Sequence, residues 1–269
     1  MPLVDTRAGT LAYQDRGEGP ILVLLHATLH DHHDFDAILP ALEENYRVIA
    51  VDWPGSEESP PAAHPEQLTA ALYADGLEDL VDHIDAPSMA FIGNSVGGFA
   101  AARLAITRPH QVKGLVLVNS GGFIPLTMAT RLYCGIMGTP WFARLFLPRF
   151  ARIYMKPQSP LDHEILDRVV RRAKTEAGVQ QAAALWRSFA TGDHDLRWRR
   201  AELAAPTLLV WGRADKAVPL WAGRATHASL PGSQFAVINS GHVPFASAPN
   251  EFLARVEPFL ASVLEERTA

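Results

Sequence analysis

Short runs of Val, Ile and Leu alternate along the chain with longer stretches whose apolar residues recur every three or four positions. The runs predict strands at residues 10–15, 21–27, 47–53, 88–93, 114–119, 207–212 and 234–239. Most are continuously apolar, as strands covered on both faces of a mainly parallel sheet must be. Helical spacing falls between them, at residues 35–43, 65–84, 96–106, 220–229 and 250–264. Strand and helix in regular alternation describe a doubly wound α/β fold.

The alternation stops after Asn119 and resumes at Thr207. In between, the first part of the segment is rich in aromatic, Met and Arg residues, and the second predicts two amphipathic helices. We read residues 123–200 as a helical cap inserted into a core made of residues 1–122 and 201–269. Charge sets the segment apart: it holds 13 Lys+Arg against 6 Asp+Glu, whereas the rest of the chain holds 11 against 23. Arginines on an amphipathic stretch describe a solvated face over an apolar seat, with anion binding as the alternative.

With 269 residues, of which 48% are hydrophobic, the chain is long enough for one large domain with an insertion. A net charge of -5 without a basic tract argues against a nucleic-acid partner. No apolar run is long enough to span a bilayer, and the first residues lack a basic region followed by an apolar one. The expectation is a cytoplasmic protein with a small-molecule substrate. Cys134 is the single cysteine and reads as a small buried hydrophobe. Nothing in the pattern fixes an oligomeric state.

Candidate chemistry begins at SMAFIGNSVGG, where Ser95 sits between a buried-strand run and a small-residue helix pattern. A serine on such a strand-to-helix turn is exposed at a helix N-terminus, where the Val96 amide and the helix dipole face any oxyanion forming beside it. Glycines at 93 and 97 let the helix start close to the strand. A serine hydroxyl needs a base, and the base needs a group that orients it. In a parallel sheet the loops after the strands share one edge. The strand at 207–212 leads to Asp215 and the strand at 234–239 leads to His242, so Ser95, Asp215 and His242 converge.

With these residues in place, the chain resembles the α/β-hydrolase family over essentially its full length. The matching segments are LVLLHAT, RVIAVDWPG, GNSVGG, PTLLVWGRADKAVP and SGHVPF. The resemblance implies a mostly parallel eight-stranded sheet, with Ser95 as nucleophile, His242 as base and Asp215 as its orienting acid. It also implies Thr28 as the second oxyanion donor beside Val96. Ala27 stands where the family has Gly, so a positive φ there would strain the loop. Pocket walls are expected from Leu29, His30, Phe123, Val218 and Val243. No cofactor is implied.

The cluster His26, His30, His32, His33 and Asp34 invites a metal reading, but Phe35 replaces the last ligand of a His-x-His-x-Asp-His pattern. We expect no metal, with His26 in the core, His30 at the pocket and His32 and His33 on the surface. The expected activity is two-step hydrolysis of a small to medium, largely apolar carboxylic ester. Two alternatives stand beside it. GNSVGG and LVNSGGF also resemble hydrolases that cleave carbon-carbon bonds of vinylogous diketone acids, although Val243 stands where those commonly carry Trp. Some proteins of this fold are receptors with little turnover.

Overall fold

The computed structural model describes residues 1–264. Eight strands form one sheet: β1 (Leu3–Thr6), β2 (Gly9–Arg16), β3 (Ile21–Leu25), β4 (Arg47–Asp52), β5 (Met89–Asn94), β6 (Val112–Val118), β7 (Thr207–Gly212) and β8 (Gln234–Ile238), in the order β1-β2-β4-β3-β5-β6-β7-β8. β2 pairs antiparallel with β1 and β4; the rest of the sheet is parallel. The helices are α1 (Leu39–Leu42), α2 (Ala70–Ile84), α3 (Val96–Thr107), α4 (Met128–Met137), α5 (Pro140–Met155), α6 (Pro160–Arg172), α7 (Glu176–Ser188), α8 (Leu220–Ser229), α9 (Pro244–Ser247) and α10 (Pro249–Leu264).

All residues of β5 and β7 are buried, which is why their sequences are continuous apolar runs. Side chains alternate between two packed layers. Leu22 and Leu24 face a cluster shared with α5, α6 and α10, while Val23 and Leu25 face one shared with α2 and α3. Each buried Leu, Val or Phe contributes about 1.5–3 kcal/mol.

The structure departs from the sequence expectations at a few ends. β1 has a single buried residue, Val4, and so carries no apolar run to detect. The helix expected over residues 35–43 is a 3-10 turn at His32–Phe35 followed by the one-turn α1. Pro40 lies in the first turn of α1, where its missing N–H costs no intrahelical hydrogen bond, so it suits a new helix start and not the interior of one continuous helix. Likewise the span 65–84 begins as a 3-10 turn, and the α-helix starts only where the Thr69 side chain caps the Leu72 amide.

Four helices, α4 to α7, separate β6 from β7. Hydroxyl caps start three of them: Thr127 on α4, Ser159 in a reciprocal pair with Asp162 on α6, and Thr175 on α7. No described helix is long and apolar enough to cross a membrane.

Candidate active site

Because β3, β5, β6, β7 and β8 run parallel, the loops after them meet at one edge of the sheet. Ser95 follows β5 directly and holds φ 56°, ψ -113°, a strained backbone for a residue with a side chain. Its amide donates to the Val118 carbonyl and its carbonyl accepts from Phe99 and Gly121, which hold the strain in place. The flanking glycines serve close approach and not φ, since neither Gly93 nor Gly97 is at positive φ. A Cβ on Gly93 would lie 2.6 Å from the Gly97 carbonyl oxygen, and one on Gly98 would lie 2.5 Å from Ser120 Cβ. Without these glycines α3 could not begin against β5.

His242 Nδ1 donates to Asp215 Oδ2 at 2.6 Å, with both residues buried. The other oxygen of Asp215 accepts from the amides of Ala217 and Val218 at 2.7 and 3.1 Å, which aims the carboxylate at the imidazole. The backbone of His242 is held too. Its amide donates to the Tyr154 carbonyl, and its carbonyl accepts from Asn94 Nδ2 at 3.2 Å and Asn119 Nδ2 at 2.9 Å. Asn119 Oδ1 in turn accepts from the Gly212 amide. Two asparagines at the ends of β5 and β6 thereby fix the histidine loop against three strands. Neither stood out in the sequence, although Asn94 is the residue before the serine.

Ser95 and His242 line one cavity of about 350 Å³ together with Thr28 and Leu29. Its other walls are mostly apolar and come chiefly from the loop after β6, α4, α5, α7, the loop after β7 and the start of α8, including Tyr133, Phe150, Trp186 and Val218. Asp215 sits behind His242, outside the wall. Val96, the first residue of α3, has no intrahelical acceptor for its amide, and the Thr28 amide donates to no described residue. Cys134 is also in the wall, where burial pushes its thiol up to about 11, so it stays protonated at neutral pH.

Three expected wall residues lie elsewhere. Phe123 and Val243 are fully buried and outside the cavity wall, and His30 turns inward. His30 Nδ1 donates to Asp34 at 2.6 Å, and its Nε2 accepts from the Tyr154 hydroxyl at 3.1 Å. His32, expected on the surface, is buried with Nδ1 on Asp52 at 2.8 Å. His33 pairs with Asp36 and is only partly buried. His26 is in the core, where its Nε2 accepts from the Trp53 amide. The histidines therefore point to separate carboxylates or amides, and no group of three metal-ligating side chains is gathered among the described residues.

The loop from residue 26 to 31 is clamped by α6. Arg172 donates to the Leu29 carbonyl at 2.9 Å, to Asp31 at 2.6 Å and to Glu57 at 2.5 Å, while Arg168 donates to Asp31 at 3.0 Å. Burial pushes the Asp31 carboxyl up, but the charges of Arg172 and Arg168 outweigh it and hold the group well below the ordinary carboxylate range. The left-handed residue of this loop is Leu29, at φ 70°; Ala27 is not at positive φ, so its side chain imposes no such strain.

A family model for the alpha/beta hydrolase fold matches residues 20–249. A 2-hydroxy-6-oxononadienedioate/2-hydroxy-6-oxononatrienedioate hydrolase of Pseudomonas putida is 32% identical over 249 residues, which cover 86% of this chain and 85% of that protein. Among solved structures, a thermophilic esterase from Thermogutta terrifontis aligns with a TM-score of 0.81 at 22% identity, over 98% of this chain and 100% of its own. An enol-lactonase from Burkholderia xenovorans LB400 aligns with a TM-score of 0.81 at 19% identity, over 97% and 100%.

Proposed function

The chain belongs to the alpha/beta hydrolase fold family, and from that premise we propose that it is a serine hydrolase of small to medium, largely apolar carboxylic esters. Ser95 Oγ attacks the ester carbonyl while His242 Nε2 takes its proton. Asp215 holds the imidazole with Nδ1 protonated and stabilises the imidazolium. The amides of Val96 and Thr28 hold the oxyanion, each contributing about 10²–10³-fold in rate. The leaving alcohol takes the proton from His242, and water repeats the sequence on the acyl-enzyme. In this reading residues 123–200 cap a core of residues 1–122 and 201–269, and the substrate lies between them.

One observation carries the choice of substrate class. The cavity wall is largely aliphatic and aromatic, and none of the arginines of α4 to α7 is in it. Arg168 and Arg172 of α6 lie outside the wall and are engaged by Asp31, Glu57 and the Leu29 carbonyl. An apolar acyl group fits such walls, whereas a free carboxylate would be desolvated against most of them, with Lys216 the one Lys or Arg among the described lining residues.

A second reading rests on the Pseudomonas putida relative, whose name denotes a hydrolase of a dicarboxylic diketone-type acid. Lys216, in the cavity wall, is the group that would meet a carboxylate under that reading. Turnover of p-nitrophenyl butyrate and of a vinylogous diketone diacid, each against Ser95→Ala, separates the two. The ester reading predicts a kcat/KM at least about 100-fold higher on the ester, which Ser95→Ala abolishes. The reverse preference establishes the second reading, and tight ligand binding without turnover of either contradicts both.

A further inference from the structure

The outer faces of α4 and α5 are left over by the chemistry above. α4 has a single charged residue and is apolar nearly all round, a pattern that belongs to buried helices. One side, with Ala129, Thr130, Tyr133 and Cys134, is in the cavity wall. The other leaves Met128 82%, Leu132 65% and Ile136 43% exposed, with Arg131 in the same shallow groove. α5 shows the same mixture. Trp141, Leu145 and Ile153 are 67%, 62% and 54% exposed, and the positions 144, 149 and 152 that fall among them on the helical face are arginines.

Charge tells what fits these faces. From residue 123 to 161 the chain has five cations, Arg131, Arg144, Arg149, Arg152 and Lys156, and no Asp or Glu. Only Arg144 of the five forms an ion pair among the described residues, with Glu176 of α7. An isologous contact with a second copy would set cations against cations. A helix with Arg among exposed Trp, Leu and Ile has instead the composition that lies in the headgroup layer of an anionic bilayer.

We propose that the exposed faces of α4 and α5 dock on an anionic lipid surface, with α4 standing between the bilayer and the cavity. Apolar esters concentrated in the bilayer would then meet the site without crossing bulk water. Docking needs no serine chemistry, so it is measured separately from turnover, with the full chain and with Ser95→Ala.

The test is sedimentation with vesicles of phosphatidylcholine alone or mixed with phosphatidylglycerol. We expect partition onto the anionic vesicles at least tenfold above that onto phosphatidylcholine, lost in about 0.5 M salt. Arg149→Glu/Arg152→Glu should lower it by more than tenfold, as about fivefold per basic charge implies. Leu145→Glu should lower it as well, while p-nitrophenyl butyrate turnover in solution stays unchanged and reports an intact fold. Equal partition onto both vesicles, or none, overturns the proposal. So does a concentration-dependent dimer that Leu145→Glu disperses while vesicle binding is absent, since that assigns the face to a second copy.

Discussion

Two imidazole–carboxylate pairs lie side by side at the edge of the sheet, with their rings 6.5 Å apart: His242–Asp215 and His30–Asp34. Both hydrogen bonds are 2.6 Å, and all four residues are buried. By bond length and burial alone they are the same object. The difference is at the far ring nitrogen. That of His30 accepts from the Tyr154 hydroxyl, so the pair is closed off from the cavity. That of His242 has no partner among the described residues, and the ring shares a cavity wall with Ser95. A buried carboxylate on a histidine is thus insufficient to mark a base; the exposed nitrogen and what it can reach decide the role.

Exchanging each carboxylate for an amide gives the largest expected contrast. Asp215→Asn should lower kcat by about 10⁴-fold, because the amide favours the wrong tautomer of His242. Asp34→Asn should lower it by less than about tenfold, since both ring nitrogens of His30 are engaged, by Asp34 and Tyr154, and neither faces the cavity. Steady-state ester kinetics read both, and comparable losses would show that the two pairs work as one unit.

A smaller effect is expected from the clamp on the loop that carries His30. Arg172 holds the Leu29 carbonyl, next to the Thr28 amide. Arg172→Lys keeps the charge and loses the forked contact, so kcat should fall about tenfold with KM within about twofold, as a misaimed donor implies. A change confined to KM would place Arg172 in substrate binding instead.

The least effect on activity is expected at the third pair, His32–Asp52, neither member of which lines the cavity. Burial pulls the His32 imidazole down, but the hydrogen bond and charge of Asp52 outweigh it and raise the group above its ordinary 6.5. The stability this adds is complete below 6.5 and fades as pH rises through the folded-state value. His32→Gln should therefore destabilise the protein by about 1–3 kcal/mol at pH 5.5 and by less at pH 8.5, with kcat unchanged. Denaturant midpoints at the two pH values check it; an equal loss at both would mean the ring acts by shape and not by charge.

The centre of the sheet was readable because strands such as β5 and β7 are buried on both faces, which leaves unbroken apolar runs such as TLLVWG, and the serine because its glycines are dictated by close approach. What lay outside that logic was direction over a single residue. Leu29 faces the cavity and His30 turns away from it; His242 is in the wall and Val243 is buried outside it. Loop residues follow no fixed period, so neighbours in sequence give no hint of which one faces inward. The asparagine clamps on His242 depend on contacts across more than a hundred residues, and no local pattern records them. β1 escaped notice because an edge strand with one buried residue looks like a polar tail.

The central claim is that the Ser95 hydroxyl is the group His242 and Asp215 activate. It is tested most directly by a fluorophosphonate, which reacts preferentially with an activated serine, followed by intact mass and peptide mapping. The account predicts one adduct per chain, on Ser95, absent from Ser95→Ala and formed at least about 10³-fold more slowly in His242→Gln. An adduct on another residue, or labelling of Ser95 at the same rate without the imidazole, would contradict it.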